Sequence, residues 1–413
     1  MKPYLLTVLL WLAISATNAQ RTCLTDEYVK THFQLQNKET DLSYTVPPRD
    51  TFPNEIITIP VIVHVLFNSS TQNISVEQIL SQIDALNKDF RLLNSDKSMV
   101  PEVFAGLQAD SRIMFCLAKV APDGRSTSGI NRVYTNKPHF MAADDMKFKS
   151  KGGVDAWDTK NYLNIWVCNM FGRALGYATP PGGDPTKDGV VINFDVFGTK
   201  GVLRTDFNKG RTATHEISHW MGLHHIWGDD LCGDDSVDDT PRQKSYNFGC
   251  PSFPRVSNCS LNGNGDMYMN FLDLTNDACM YMFTQGQKMK MRTEFSLKGK
   301  RNSFLRSYKC DGSLATGGPL PQDSLPVAAP MLPADIIQVF PNPVINRVNI
   351  QSKELITLKG KTAVVYTLQG KPVHSVVLQS NIAQINIGHL PPGMYMLRIG
   401  DAEASTHFKM IKM

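Results

Sequence analysis

One stretch limits this chain more than any other. It runs His215-Glu216-Ile217-Ser218-His219-Trp220-Met221-Gly222-Leu223-His224-His225 and reads H-E-x-x-H-x-x-G-x-x-H. Two histidines four apart on a helix project from one face, one turn above the other. Their imidazole nitrogens can take one zinc ion between them. Glu216 follows the first ligand and lies close to the metal without binding it, placed to take a proton from water. Gly222 adopts the left-handed conformation at no side-chain cost, so it stops the helix. The sharp turn then returns His225 as a third ligand. Three protein ligands with a fourth position open describe a catalytic zinc site rather than a closed structural one. A helix with satisfied surface histidines is the competing reading, and the extended motif with its glycine weighs against it. His224 lies beside a ligand but off the spacing, so it reads as a residue behind the ligands or at the surface.

The 413 residues leave room for two or three domains. With 42% hydrophobic and 19% charged residues, the balance is globular. A net charge of +4 points to neither nucleic acid nor a membrane surface as partner. Met1-Lys2, an apolar run from Leu5 to Ile14, and Thr17 and Ala19 at signal-peptidase spacing read as a signal peptide over residues 1–19. That run is too short to span a bilayer, and no other stretch is long and apolar enough. A soluble, exported protein with no membrane span is therefore expected. All 8 cysteines (Cys23, Cys116, Cys168, Cys232, Cys250, Cys259, Cys279 and Cys310) follow the cleavage point, and export permits disulfides.

Residues 20–55 are polar, with weak helical signals over 27–35, and are broken by Pro47-Pro48-Arg49-Asp50 and Pro53. They read as a pro-segment with an exposed linker and Arg49 as a processing site. Residues 56–310 carry the pattern of an α/β domain. Strands are expected at 57–68, 112–120, 162–170 and 190–196, the last after a Gly/Pro-rich loop. His64 reads as a packed strand histidine. Ser75 and Gln78 read as a capping box. The helix behind it, to about residue 93, repeats Val76, Ile79, Leu80, Ile83, Leu86 and Phe90 at helical spacing. The zinc helix is expected over 205–223, and Thr284-Gln285-Gly286-Gln287 caps a further one.

After the zinc motif, Asp229, Asp230, Asp234, Asp235, Asp238 and Asp239 crowd into one loop ending Asp239-Thr240-Pro241. Carboxylates this dense repel unless a cation sits among them, and calcium gathers many oxygens at once. A solvated acidic loop is the alternative. Residues 311–335 are rich in Pro, Gly and Ala without periodicity and read as a linker. Residues 336–413 alternate as six short strands at 337–340, 348–350, 363–366, 375–378, 383–387 and 394–399, a small all-β sandwich with no catalytic constellation.

The zinc motif resembles that of the metzincin clan, and its surroundings resemble the pappalysin family of metallopeptidases. Over about 57–310 the likeness is carried by Y-L-N-I-W-V from Tyr162, L-G-Y-A-T-P-P-G from Leu175, D-S-V-D-D-T-P from Asp235 and T-N-D-A-C-M-Y-M-F-T-Q-G-Q from Thr275. The resemblance implies an α/β (α+β) metzincin-type domain with a mixed sheet and an active-site helix. It implies zinc on His215, His219 and His225, with Glu216 as general base or acid. It also implies disulfides Cys232–Cys259 and Cys250–Cys279, and structural calcium at Asp235, Asp239 and Thr240. The strand at 190–196 becomes the edge on which a peptide binds as an added strand. Asp277 falls in the pocket just after the scissile bond, which implies Arg or Lys there.

Cys23, in Arg21-Thr22-Cys23, resembles the pro-segment cysteine that blocks zinc in this family, a thiolate being a good fourth ligand. Leu24 stands where a glycine is usual, and a disulfide is the other use for that thiol. The family's N-x-M-D-Y turn is here Asn270, Phe271, Leu272, Asp273 and Leu274. Leu272 for methionine is nearly volume-conserving. Leu274 for tyrosine removes a donor to the tetrahedral intermediate, a loss of about 100- to 1,000-fold in rate where such donors are deleted.

At the C-terminus, Val339-Phe340-Pro341-Asn342-Pro343, Pro392-Gly393-Met394-Tyr395 and Phe408-Lys409-Met410-Ile411-Lys412 resemble the sorting domain of the Bacteroidetes type IX secretion system. That implies the secretion machinery as a partner and a cargo released or held at the cell surface. The expectation is a secreted zinc endopeptidase acting on proteins or peptides. A catalytically weak or inactive zinc-fold binding or adhesion protein is the alternative. Leu274 supports that alternative and the intact Glu216 argues against it.

Overall fold

The computed structural model describes residues 21–32, 55–259, 263–319, 337–352, 358–367, 371–400 and 405–413. The expected signal peptide, Arg49 and most of the expected linker lie outside these residues. Helix α1 (Thr25–His32) is followed by strand β1 (Ile57–Phe67), helices α2 (Val76–Phe90) and α3 (Glu102–Ala105), and strands β2 (Ile113–Leu117), β3 (Arg125–Ser126) and β4 (Ile130–Tyr134). Strands β5 (Leu163–Cys168), β6 (Gly176–Ala178) and β7 (Val190–Asn193) come next, then helices α4 (Arg211–Trp220) and α5 (Gln285–Thr293) and strand β8 (Gly317–Pro319).

The sheet runs β2-β1-β5-β7-β6, with β4 also on β1. β1 pairs parallel with β2 through Ile57–Val61, with β4 through Val63–Phe67, and with β5 on its other side. β5 and β7 are parallel and buried along their whole length, as expected of strands covered on both faces. Only β6 runs antiparallel. Side chains alternate between two layers. Ile59, Val61, Val63 and Val65, with Leu163, Ile165 and Val167, face the layer of α2 and α4. Leu66, Trp166, Cys168, Tyr177 and Val191 face the other, covered by Phe140, Met146 and Tyr28. His64 sits on β1 between Asn164 and Asn131, a packed histidine that burial pushes down to about 4.

Several expectations change. The zinc helix begins at Arg211, not at 205, because Gly210 takes a positive φ of 75° and the N–H groups of Lys209 and Arg211 donate to Asp277 Oδ2. The Ser75 cap is half a box. Its hydroxyl accepts from Gln78 N, but the Gln78 amide instead donates to the carbonyls of Phe194 and Phe197. The Thr284/Gln287 box is complete. The strand expected over 190–196 ends at Asn193, and a 3-10 turn over Phe194–Val196 follows. The expected linker does not leave the surface at residue 311. β8 pairs with β3, so the chain stays in place to Pro319.

The C-terminal sandwich packs a three-stranded sheet on a four-stranded one. Its strands are β9 (Ile337–Phe340), β10 (Arg347–Ser352), β11 (Thr362–Thr367), β12 (Pro372–Val377), β13 (Ile382–Asn386), β14 (Gly393–Gly400) and β15 (Ser405–Lys412). Val348, Ile350, Ala363, Val365, Leu397 and Ile399 fill its core. β15 is a seventh strand, antiparallel to β14 along its whole length.

Candidate active site

Helix α4 is buried on every side and carries His215 and His219 one turn apart. It ends because Gly222 turns back at φ 85°, with Gly222 N donating to His219 O and Leu223 N to Ser218 O. The reversal brings His225 round. His215 Nε2 lies 3.1 Å from His219 Nε2 and 3.2 Å from His225 Nε2. Each ring's other nitrogen meets an oxygen. His215 Nδ1 faces Phe271 O at 2.7 Å, His219 Nδ1 faces Leu223 O at 2.8 Å, and His225 Nδ1 faces Asp229 at 2.7 Å and Asp26 at 2.8 Å.

An Nδ1 that donates leaves its Nε2 as a bare lone pair. Converging lone pairs repel, so this arrangement calls for a cation. Ligand nitrogens on a tetrahedral zinc stand about 3.3 Å apart, close to the separations found here. Carbonyl and carboxylate partners behind each imidazole are what orients zinc histidines. The donor set therefore fits zinc. His224 is exposed and takes no part.

Cys23 completes a four-residue group whose ligand atoms lie within 4.8 Å of one another. Its thiol is free rather than in a disulfide. Burial, then the Glu216 charge, pushes that thiol up to about 12, so only an adjacent metal would hold it as a thiolate. Glu216 is buried beside it and is pushed up to about 7 by burial. Glu216 Oε2 accepts from Thr25 Oγ1 at 2.9 Å and from Cys23 Sγ at 3.5 Å. Gly176 crosses directly above: a Cβ there would lie 2.9 Å from Glu216 Cγ, so only glycine lets this strand approach.

The last of the named strands at this side of the sheet is β6, not the strand at 190–196, whose residues Val190–Asn193 pair with β5 on one side and β6 on the other. Residues 22–24 add to β6 as a further, parallel strand, with Leu175 N donating to Thr22 O and Leu24 N to Gly176 O. Arg21 is buried. Its guanidinium meets Asp277 Oδ1, Thr212 Oγ1 and Thr275 O, over the ring of Phe207. Thr25, Asp26, Thr212 and Phe207 carried no sequence signal. Gly176 and Ala178 lie inside L-G-Y-A-T-P-P-G, which shows no strand alternation.

Leu272 is buried in the main core, and Asn270 locks to Gln287 through both amide groups. Leu274 belongs to the cluster of Trp227, Tyr268 and Tyr281 against which Cys23 packs. Asp229 heads the acidic run in sequence but holds His225. Asp235 Oδ1 accepts from Thr240, and the Asp239 carboxylate accepts from Thr284 Oγ1 and Gly286 N. Cys232 is bonded to Cys259, Cys250 to Cys279 and Cys116 to Cys310, while Cys168 is free and buried.

The fold and this site define a zinc metalloendopeptidase of metzincin type. A family described as pregnancy-associated plasma protein-A matches residues 122–296, and the secretion system C-terminal sorting domain matches residues 338–413. An extracellular metalloprotease of Arthroderma gypseum is 30% identical over 250 residues, 57% of this chain and 71% of its own length. One from Neurospora crassa is 36% identical over 159 residues, 37% of this chain and 51% of its own. A mutant of Tannerella forsythia promirolysin is 43% identical, covering 69% of this chain and 97% of its own, at a TM-score of 0.65. Mature mirolysin with a cleaved peptide is 45% identical, covering 64% and 100%, at 0.60. The chain belongs to the pappalysin family. It is a secreted protein, and among the described residues no helix is long and apolar enough to cross a membrane.

Proposed function

We propose that the processed chain is an endopeptidase that cuts before Arg or Lys, with Glu216 as its general base. The observation that carries this reading is Arg21: the chain offers its own arginine to Asp277 while Cys23, two residues on, faces the three histidines. A zinc held by His215, His219 and His225 supplies a Lewis acid that activates water and polarises a peptide carbonyl. Glu216, free of Thr25, takes the proton of the attacking water. The same carboxyl then delivers it to the departing amine. Asp277, held by the N–H groups that open α4, neutralises the basic side chain after the bond. Once residues 22–24 leave, β6 offers its edge to the substrate backbone.

Until processing, Cys23 would help His215, His219 and His225 hold the metal and so keep the chain latent. Leu274 offers no hydroxyl to the tetrahedral intermediate, so turnover is slow. Calcium is assigned to the loop of Asp235, Asp239 and Thr240. The support is Asp235 Oδ2, a buried carboxylate oxygen with no hydrogen-bond partner. The C-terminal sandwich is the address read by a type IX secretion apparatus.

The test is zinc content and casein hydrolysis by the processed protein beside Glu216→Ala. One zinc per chain in both is expected, with hydrolysis at least about 100-fold lower in the variant. A zinc-loaded wild type that cuts nothing would instead support the binding-protein reading.

A further inference from the structure

Tyr28 belongs to the pro-segment yet is only 3% exposed. Its hydroxyl donates to Asp144 Oδ2 at 2.9 Å, its ring lies 5.1 Å from Lys147 Nζ, and the ring of Tyr177 is 5.0 Å away. Burial, then the charge of Asp144, pushes the phenol up, so it remains a donor. The polar partners around it belong to the peptidase domain, with Lys187 Nζ also 3.4 Å from Asp144 Oδ2, while Leu24 packs against the same cluster. Tyr177 Oη donates to Asp144 Oδ1 at 2.9 Å, and Lys147 Nζ stands 3.0 Å from the same oxygen. Lys147 also donates to Thr179 Oγ1 at 3.0 Å and to Lys187 O at 2.9 Å. Asp144 sits at φ 61°, a conformation that a non-glycine residue keeps only where its surroundings impose it. Removing the pro-segment takes away the ring and leaves the buried carboxylate, the ammonium and the aromatic wall in place.

The pocket's position follows from the chain that now fills it. Arg21 and Tyr28 lie on opposite sides of Cys23. From Cys23 to Tyr28 the chain takes two extended steps and three helical ones, at most roughly 11 Å, and Tyr28 sits against Tyr177, the neighbour of the Gly176 that pairs with Cys23. An extended peptide covers that distance in about three or four residues. A substrate with its basic residue in the Asp277 pocket therefore meets the Tyr28 pocket before the cut bond.

We propose that the vacated Tyr28 pocket is a recognition site for a tyrosine side chain of the substrate, about three or four residues before the scissile bond. The phenol hydroxyl donates to Asp144, and the ring packs under Lys147 and against Tyr177. This rests on the reading that Asp277 takes Arg or Lys, and it adds a second, aromatic determinant.

The test uses enzyme processed from the full chain and loaded with zinc. The substrates are fluorogenic peptides with Arg after the scissile bond and Tyr, Phe or Ala at the third or fourth position before it. At one of these positions the tyrosine peptide should exceed the alanine peptide about tenfold in kcat/KM, with phenylalanine between them. The gain should lie in KM, because the contact is made equally in ground and transition states. In Asp144→Asn the advantage of Tyr over Phe should shrink. If that variant does not fold, the substrate series decides alone. Rates within twofold for all three peptides, with the Arg still required, would overturn the proposal and leave the pocket as an anchor for the pro-segment only. If replacing the Arg changes nothing, the Asp277 reading fails, and with it the spacing on which this pocket was placed.

Discussion

At the metal, the ligands are held largely by their own neighbourhood. His219 leans on Leu223 and His225 on Asp229, each four residues away. In the pro-segment every anchor reaches across the chain: Arg21 to Asp277 over 256 residues, Thr25 to Glu216 over 191, Tyr28 to Asp144 over 116. Two of the ligand contacts at the metal are short-range, but His215 leans on Phe271 across 56 residues and His225 also meets Asp26. Arg21, Thr25 and Tyr28 are separate side-chain anchors that bond none of the three histidines, whereas Asp26 holds His225. On the proposed reading, latency and chemistry are therefore separable by mutation.

The sharpest separation is expected at Asp277. Asp277→Asn keeps an acceptor for the start of α4 but loses the charge. Initial rates on peptides with Arg after the bond should fall about 100-fold, the scale for truncating a buried charge pair, with zinc content unchanged. A simultaneous loss of zinc would show that the two ends are coupled after all. Asp229→Asn acts on the other side. It should weaken zinc binding about 10- to 100-fold in the processed enzyme, measured by competition with a chromophoric chelator. In the full chain the loss should be smaller, because Asp26 also meets His225 Nδ1.

Thr25→Val removes the hydroxyl that caps Glu216 and accepts from Ala178 N, and touches none of the three histidines. Self-processing of the full chain should begin about tenfold sooner, as for loss of one hydrogen bond to a charged group. An unchanged lag would leave latency to Cys23 and Arg21. The smallest effect is expected at Leu272→Met, a near volume-conserving change in the core. Urea unfolding should shift by less than about 1.5 kcal/mol in either direction.

The same contrast explains what the sequence made legible. The three histidines, Glu216, Gly222 and the Thr284 cap are spaced along one helix or turn, so their geometry follows from helical periodicity. The pairings Cys232–Cys259 and Cys250–Cys279 came through family likeness, whereas Cys116–Cys310, separated by 194 residues, had no local signature. β6 escaped because three residues carry no alternation, and its place at the edge depends on how β5 and β7 pair. Asp229 looked like one more carboxylate in an acidic run. Its left-handed backbone, at φ 59°, accompanies its turn toward His225 instead. β15 carries the terminal sorting motif, and its Thr406, Phe408 and Met410 alternate as a strand should.

The central claim is a zinc reaction directed by Asp277. It is tested most directly by digesting a proteome-derived peptide library with the processed enzyme and sequencing the new N-termini. The account predicts termini that begin with Arg or Lys, vanish with a zinc chelator and return when zinc is restored. Cuts that survive the chelator, or chelator-sensitive cuts with no basic residue after the bond, would contradict it.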